Sequence, residues 1–550
     1  MIKKYIILLM SSVFLFSSCL KEDPPFDNYK VIDTADGLKT ATNGVYGSLA
    51  SGKYFANDFF SVANLNSGMI TSGSVADQGN ISALNLSPNQ KNVENLWNGM
   101  YTTINRVNSI LDVWENKPEE EITAADRFEL AQNYFIRSYT YFNLVRYWGK
   151  VPLKLHTADV STLNSPRELR TDVYAQIIKD ANKAIQEYNA THVQILGRPG
   201  VGAVHMLLAK VYLTLYTANR DNDILNQEDV FKNLGIVEGD VLALAKEQAE
   251  LADNGQYSID GVDYGSLWLE SNGNTKESIF EMQFNVENPF EGKLWNIKNS
   301  YAGRAGWARM NINPEVVDAF INANMDHEGY NKGIIEVNGG DPRYYATFRT
   351  NYTDFSKPEG KQHIQLYPEK KIGGNPKTFP SVYKYAIKNL EQTSVSTNQN
   401  MIIYRYAELK LMMAEIGFLL GEDVGGKAPI DHINDVLERA RNSEGGDGVH
   451  PEPLDPANLT LEEIYHQYTY ELLGEGGDWF RNRRQGSTWF KENIIDVHNG
   501  ESALGVHHNK DAFFIKYPED NLARVMLLPI PVLEINTNDA ITNADQNPGY

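Results

Sequence analysis

Glu471 and Glu475 stand four residues apart, a spacing that puts two carboxylates on one helix face, where a general acid and a general base could work together. Such pairs more often form structural ion pairs or a solvated face, so no catalytic residue is expected. The eleven histidines include no His-Glu-x-x-His spacing, and His507-His508, the one close pair, reads as exposed. Asn219, Asp221 and Asp223 resemble the start of a calcium loop, but Ile224 stands where the turn needs glycine and Val230 where the closing glutamate belongs. Gly474-Glu475-Gly476-Gly477 lacks the Lys-Ser/Thr of a phosphate loop and a preceding strand. No metal, nucleotide or other cofactor is expected. What remains is aromatic: Trp295, Tyr301 and Trp307 share one short polar segment with Asn296, Asn299 and Arg304. Flat rings beside hydrogen-bonding neighbours suit the faces of a neutral ligand, and these six are the candidate ligand contacts. Trp97, near a helix start, is a further candidate with two readings, helix packing or ligand stacking.

The one cysteine excludes an intramolecular disulfide and a cysteine zinc cluster. It is Cys19, and it follows a basic start, Lys3-Lys4, an apolar stretch from Tyr5 to Phe16, and Ser17-Ser18. That is a secretory signal too short to span a bilayer, ending in what resembles a bacterial lipobox, with Phe16 where leucine is usual. Acylation of Cys19 would anchor the chain without a spanning helix, and no later segment is apolar enough to span. The formal charge of −21, with no Lys/Arg block, argues against nucleic acid and anionic headgroups as partners. With 42% apolar and 11% aromatic residues, the chain can bury a large core.

The elements that must position the candidates are mostly helical. Phe128, Ala131, Phe135, Phe142 and Val145 fall on one helical face, which Gly149 and Val151-Pro152 end. Tyr174 to Tyr188, Val201 to Leu215 and about Val241 to Asp253 repeat the pattern, as helix pairs of the tetratricopeptide kind do. Periodicity returns at Tyr404, Ala407, Leu411, Ala414 and Phe418, at Ile430 to Arg441, and from Leu461 to about Leu473. Between these blocks, residues 255–399 read as loops with a few short strands, Ser278 to Met282 among them. Rigid scaffolds usually carry binding function on such loops. The final stretch, with Pro529, Pro531 and Pro548, cannot be a long helix.

Several of these segments follow one another in the order of a known family. Leu96-Trp97 with Tyr101, Ile104 and Asn108; Arg137 with Arg146-Tyr147-Trp148-Gly149; Asp341-Pro342-Arg343; Ile403-Tyr404-Arg405-Tyr406-Ala407-Glu408; Ile433-Asn434 with Arg439; and Gln546-Asn547-Pro548-Gly549-Tyr550 together resemble the SusD/RagB family. Lys21-Glu22-Asp23 resembles a surface-export signal of Bacteroidetes lipoproteins. The sequence departs from the family at Leu437, where arginine is usual, and at Asp478 and Arg481, where the charges are exchanged; on a helix three residues apart they can still pair.

The resemblance implies a mainly α fold, a tetratricopeptide-like helix-pair scaffold (about 90–253 and 400–490) with a loop-rich insert (about 255–399) and a few short strands. It also implies residues 1–18 as signal peptide, 19–34 as lipidated tether and 35–550 as one SusD-like domain. The implied function is non-catalytic capture of a nutrient oligomer, most simply a glycan, at the outer membrane's outer face. Delivery would be to a SusC-like TonB-dependent transporter that the chain closes as a lid. Peptide capture, as in RagB-like subunits, is the alternative cargo; a surface hydrolase and a purely structural subunit are the readings from other classes.

Overall fold

The computed structural model describes residues 32–72, 77–191, 193, 195–285, 310–324, 340–349, 351–354, 362–365, 381–386, 397–500 and 516–550. The helices of eight or more residues in it are α1 (Ala35–Leu49), α2 (Asp58–Leu65), α3 (Lys91–Trp114), α4 (Ala124–Trp148), α5 (Arg170–Thr191), α6 (Val201–Leu215), α7 (Val241–Ala252), α8 (Pro314–Asn324), α9 (Tyr406–Leu420), α10 (Pro429–Arg441) and α11 (Leu461–Leu472). The mainly helical fold with a few short strands is the one the sequence predicts. None of these helices is long and apolar enough to cross a membrane.

The helix ends follow local chemistry. At the start of α4, Thr123 and Asp126 form a reciprocal capping box, and Gly149 ends the helix at φ 70°, a left-handed conformation that costs glycine nothing. Gly421 closes α9 in the αL conformation, at φ 69° and ψ 31°. Pro429 opens α10, where its missing N–H has no helical partner to lose.

Helices adjacent in sequence pack as pairs, α4 on α5, α6 on α7 and α9 on α10. Their apolar stripes meet in one continuous core that contains Phe135, Phe142, Leu208, Leu411 and Ala414, each fully enclosed. Helix α7 also packs on α9, so the chain leaves the scaffold after α7 and returns beside its point of departure. The insert is thus seated on a single helical body. Helix α8 lies inside the insert; Val317, Phe320, Ile321 and Asn324 form its buried face.

Eight short strands complete the described residues: β1 (Ile70–Thr71), β2 (Ser278–Met282), β3 (Asn311–Ile312), β4 (Phe348–Arg349), β5 (Asn351–Asp354), β6 (Gln362–Gln365), β7 (Ser381–Val382) and β8 (Met401–Arg405). Tyr404 belongs to β8 rather than to the helix whose periodicity it extends, because residues 401–405 pair antiparallel with β2 and α9 starts one residue later. The β2–β8 ribbon lies on α4, with Phe280 edge-on to Phe135 at 5.5 Å and Tyr404 edge-on to Tyr139 at 5.8 Å. A second sheet takes the order β1-β3-β7-β4, and β5 pairs with β6.

The C-terminal stretch contains only short helices, as its prolines require, and it clasps the end of α4. Leu528 N donates to Tyr147 O (2.8 Å), Trp148 Nε1 to Pro529 O (2.9 Å), and Asn547 Nδ2 to Trp148 O (3.0 Å).

Candidate functional site

The aromatic segment is rooted at two buried places. Its first root is β2, whose Met282 pairs with Met401 and is followed by the enclosed Phe284. The second is β3, which lies antiparallel to β1 with Thr71 opposite Asn311 and Ile70 opposite Ile312. This register fixes a direction: the chain runs off β1 after Thr71 and onto β3 before Asn311 at one shared sheet edge. The β3 root is bolted down by Asn313, whose Nδ2 donates to Gly68 O (2.8 Å) and Tyr517 Oη (2.9 Å) while its N–H donates to Met69 O (2.9 Å). Trp295, Asn296, Asn299, Tyr301, Arg304 and Trp307 lie outside the described residues, as do Cys19 and the His507-His508 pair.

Trp97 is described, and it is a packing residue. It is 2% exposed, its ring lies edge-on to Trp148 at 5.0 Å, and Nε1 donates to Glu534 Oε2 at 3.1 Å. Both the ring and its one donor are engaged, which leaves no open face for a ligand ring.

Glu471 and Glu475 sit at the centre of a buried ion lattice that ties the insert to the scaffold. Glu471, fully enclosed, meets Arg405 Nη1 at 2.6 Å, Arg343 Nη1 at 3.2 Å and Arg439. Arg405 also reaches Glu277 (2.7 Å) and Glu475 (2.8 Å), Arg343 reaches Asp341 (2.6 Å), and Lys384 Nζ reaches Glu475 (2.7 Å). The four carboxylates of Asp341, Glu277, Glu471 and Glu475 thus balance Arg343, Arg405, Arg439 and Lys384. Such a set persists at depth because every charge has hydrogen-bonded partners.

The electrostatics remove any acid/base role. Burial alone would raise the Glu471 carboxyl, but the guanidiniums of Arg439, Arg405 and Arg343 outweigh it and hold the group well below the usual carboxylate range. Glu475 is lowered in the same way, against burial, by Arg405 and Lys384. Two carboxylates held ionised by these cations, Glu471 fully enclosed and Glu475 nearly so, are not placed to pass a proton to a substrate. The structural ion-pair reading of this spacing holds.

The other motifs settle similarly. Asn219 accepts from Val230 N (3.1 Å) and Asp221 from Ser487 N (2.8 Å) and Oγ (2.7 Å), so these side chains brace loops. Among the described residues, no three His, Cys, Asp or Glu side chains are grouped to hold a metal ion. Asp478 and Arg481, on a short helix, form an ion pair at 2.6 Å, so the exchanged charges preserve the contact. Leu437 is buried at the position where the family usually has arginine. Sequence reasoning missed Glu277 and Lys384 as members of the lattice; only the acidic spacing at 471/475 signalled it.

Two family models match parts of the chain. One, described as the SusD family, matches residues 272–550; the other, described as starch-binding and associating with the outer membrane, matches residues 19–213. SusD-like protein P2 of Formosa agariphila is 23% identical over the full length of both chains. A SusD homolog from Bacteroides thetaiotaomicron superposes with a TM-score of 0.72 at 18% identity, covering 95% of this chain and 98% of that one. A structure named surface glycan-binding protein A, from Bacteroides fluxus, does so with a TM-score of 0.67 at 19% identity, covering 94% and 100%. These likenesses share the fold, and the sequence match extends through the ion lattice and the C-terminal clasp: the chain belongs to the SusD family.

Proposed function

We propose that this chain is a lipid-anchored surface protein that binds a glycan oligomer through the aromatic segment and passes it to a SusC-like TonB-dependent transporter, over which it closes as a lid. The observation that carries the reading is the seat of that segment. Three rings and three polar side chains lie in sequence between two buried strand roots, on a body where Glu471 and Glu475 are locked in ion pairs. Rigid roots with a ring-rich connection suit a platform that recognises flat sugar faces and does no chemistry on them. The family's non-catalytic character and the starch-binding description of the matching family model support the same reading. Cys19 is the proposed anchor, with the polar residues up to Thr34 as tether.

The test is a panel of oligosaccharides and peptides measured by calorimetry, with product analysis alongside. Saturable glycan binding without cleavage is expected. Peptide binding alone would move the cargo class, and product release would restore the hydrolase reading. Cys19→Ala should release the protein from membrane fractions, and unchanged retention would remove the lipid anchor from the proposal.

A further inference from the structure

A second group of charges, partly buried, does not balance. Arg146 on α4 lies between the rings of Phe142 and Phe480, with its guanidinium carbon 4.1 Å and 3.9 Å from their centroids. Its Nη2 donates to Asn143 Oδ1, and no carboxylate meets it among the described residues. Around it stand Lys210 of α6, Arg481 and Arg484. Lys210 and Arg481 share Glu408 (2.6 and 3.5 Å), Arg481 also has Asp478 (2.6 Å), and Arg484 has Glu415. Four cations thus face three carboxylates, and Arg146 is the unmatched one. Arg483 lies outside this set, lines neither of the cavities at it, and donates to carbonyl oxygens, Met526 O and Arg146 O. Arg146 is half-buried, and its enclosed Nε has no acceptor among the described residues, so a small counter-charge beside it would be favoured.

Two adjoining cavities of about 40 Å³ each open at this cluster, and both are lined by Arg146, Lys210, Glu408, Phe480 and Arg481. Each has room for about two or three water-sized atoms. Buried hydrogen-bonding groups line them without a partner among the described residues: Arg146 Nε in both, Tyr404 Oη in the first and Arg484 Nη1 in the second. Tyr404 is 3% exposed and the Arg484 side chain 9% exposed, so bulk solvent does not satisfy them. Arg405 and Glu475, which also line the first cavity, belong to the balanced lattice and leave the surplus unchanged.

We propose that this twin cavity is a binding site for one small monovalent anion, a halide or an oxyanion of formate or nitrate size, held in the first of the two cavities by the Arg146 guanidinium and the Tyr404 hydroxyl. The surplus charge sets the sign and valence of the ligand, and the cavity size sets its bulk. The site lies where α4, α6, β8, α9 and the helix carrying Arg481 meet, so an anion there would tie the two helical blocks together at a point outside the aromatic segment.

The experiment combines bromide and stability measurements on the full chain. Crystals grown or soaked in sodium bromide should give an anomalous peak in the twin cavity at the bromine edge. Thermal unfolding midpoints should rise with chloride, bromide or nitrate more than with gluconate, an anion too large to enter, at equal ionic strength. Tyr404→Phe keeps the ring and removes one donor, and should weaken the apparent halide affinity about tenfold. Arg146→Met should abolish the halide dependence; if that variant does not fold, the bromide map and Tyr404→Phe decide alone. A bromide map with no anomalous density in the cavity, or an unchanged halide response in Tyr404→Phe, would overturn the proposal.

Discussion

In the layer built from α4, α5 and α6, the buried face is apolar and aromatic, with Phe135, Phe142 and Leu208 enclosed and Arg137–Asp180 as a buried ion pair at 2.8 Å. At the seat of the insert, equally deep, four carboxylates and four cations take the place of a hydrocarbon core. The helices can use hydrocarbon because a regular period brings like faces together. The insert meets the scaffold through isolated residues from five segments, Glu277, Asp341 with Arg343, Lys384, Arg405 and the Arg439–Glu475 stretch, and directional charge pairs fix such segments where area alone would let them slide. Polar seats of this kind specify geometry, and they fail abruptly when one member is lost.

The strongest way to break the comparison is Glu471→Ala, which strands three guanidiniums and should cost about 3–5 kcal/mol at neutral pH. Because the folded-state carboxyl is held below its ordinary range, its contribution is fully present above the unfolded-state pKa and is lost as pH falls below it. The deficit against wild type, followed by denaturant unfolding, should therefore narrow in acid; an equal deficit at pH 7 and pH 3 would contradict the ion-lattice account. On the apolar side, Leu411→Ala should cost about 2–5 kcal/mol, with no such pH dependence. Parallel pH profiles for the two variants would erase the distinction between the regions.

The aromatic segment sharpens the comparison from a third direction. Alanine at Trp295 or Trp307 should reduce glycan affinity by about 1–3 kcal/mol, read by calorimetry, and leave the melting temperature within error of wild type. Full affinity in both variants would move the site away from this segment. The smallest effect belongs to Asp58, whose carboxyl burial pushes up to about 6 against hydrogen bonds from Asn92 and Asn57. A raised folded pKa means that stability falls as pH rises from about 4 to about 6. Asp58→Asn keeps the shared acceptor oxygen and should gain about 1–2 kcal/mol at pH 7, a gain that vanishes by about pH 4. A thermal melt series over that range checks it.

Much of the scaffold was legible because hydrophobic period is a local signal. The stripes through Phe128 to Val145 and Val201 to Leu215 lie in α4 and α6, and the latter begins and ends at the predicted residues. Tyr404 misled because a strand that runs straight into a helix continues the spacing by coincidence. Helix α8 went unread although Val317, Phe320, Ile321 and Asn324 carry helical spacing behind Pro314; the surrounding glycines and asparagines masked it. The ion lattice was beyond reach for another reason: Glu277 and Lys384 lie far from Glu471 along the chain, and only the fold brings them together. The same holds for Trp97, which packs on Trp148 of another helix and donates to Glu534, more than four hundred residues away.

The clasp on α4 bears on the order of synthesis. Tyr147 and Trp148 complete their hydrogen bonds only with Leu528, Pro529 and Asn547, residues made long after them. Until the last residues leave the ribosome, the aromatic end of α4 lacks these three hydrogen bonds, so the clasp is among the last contacts the chain can form.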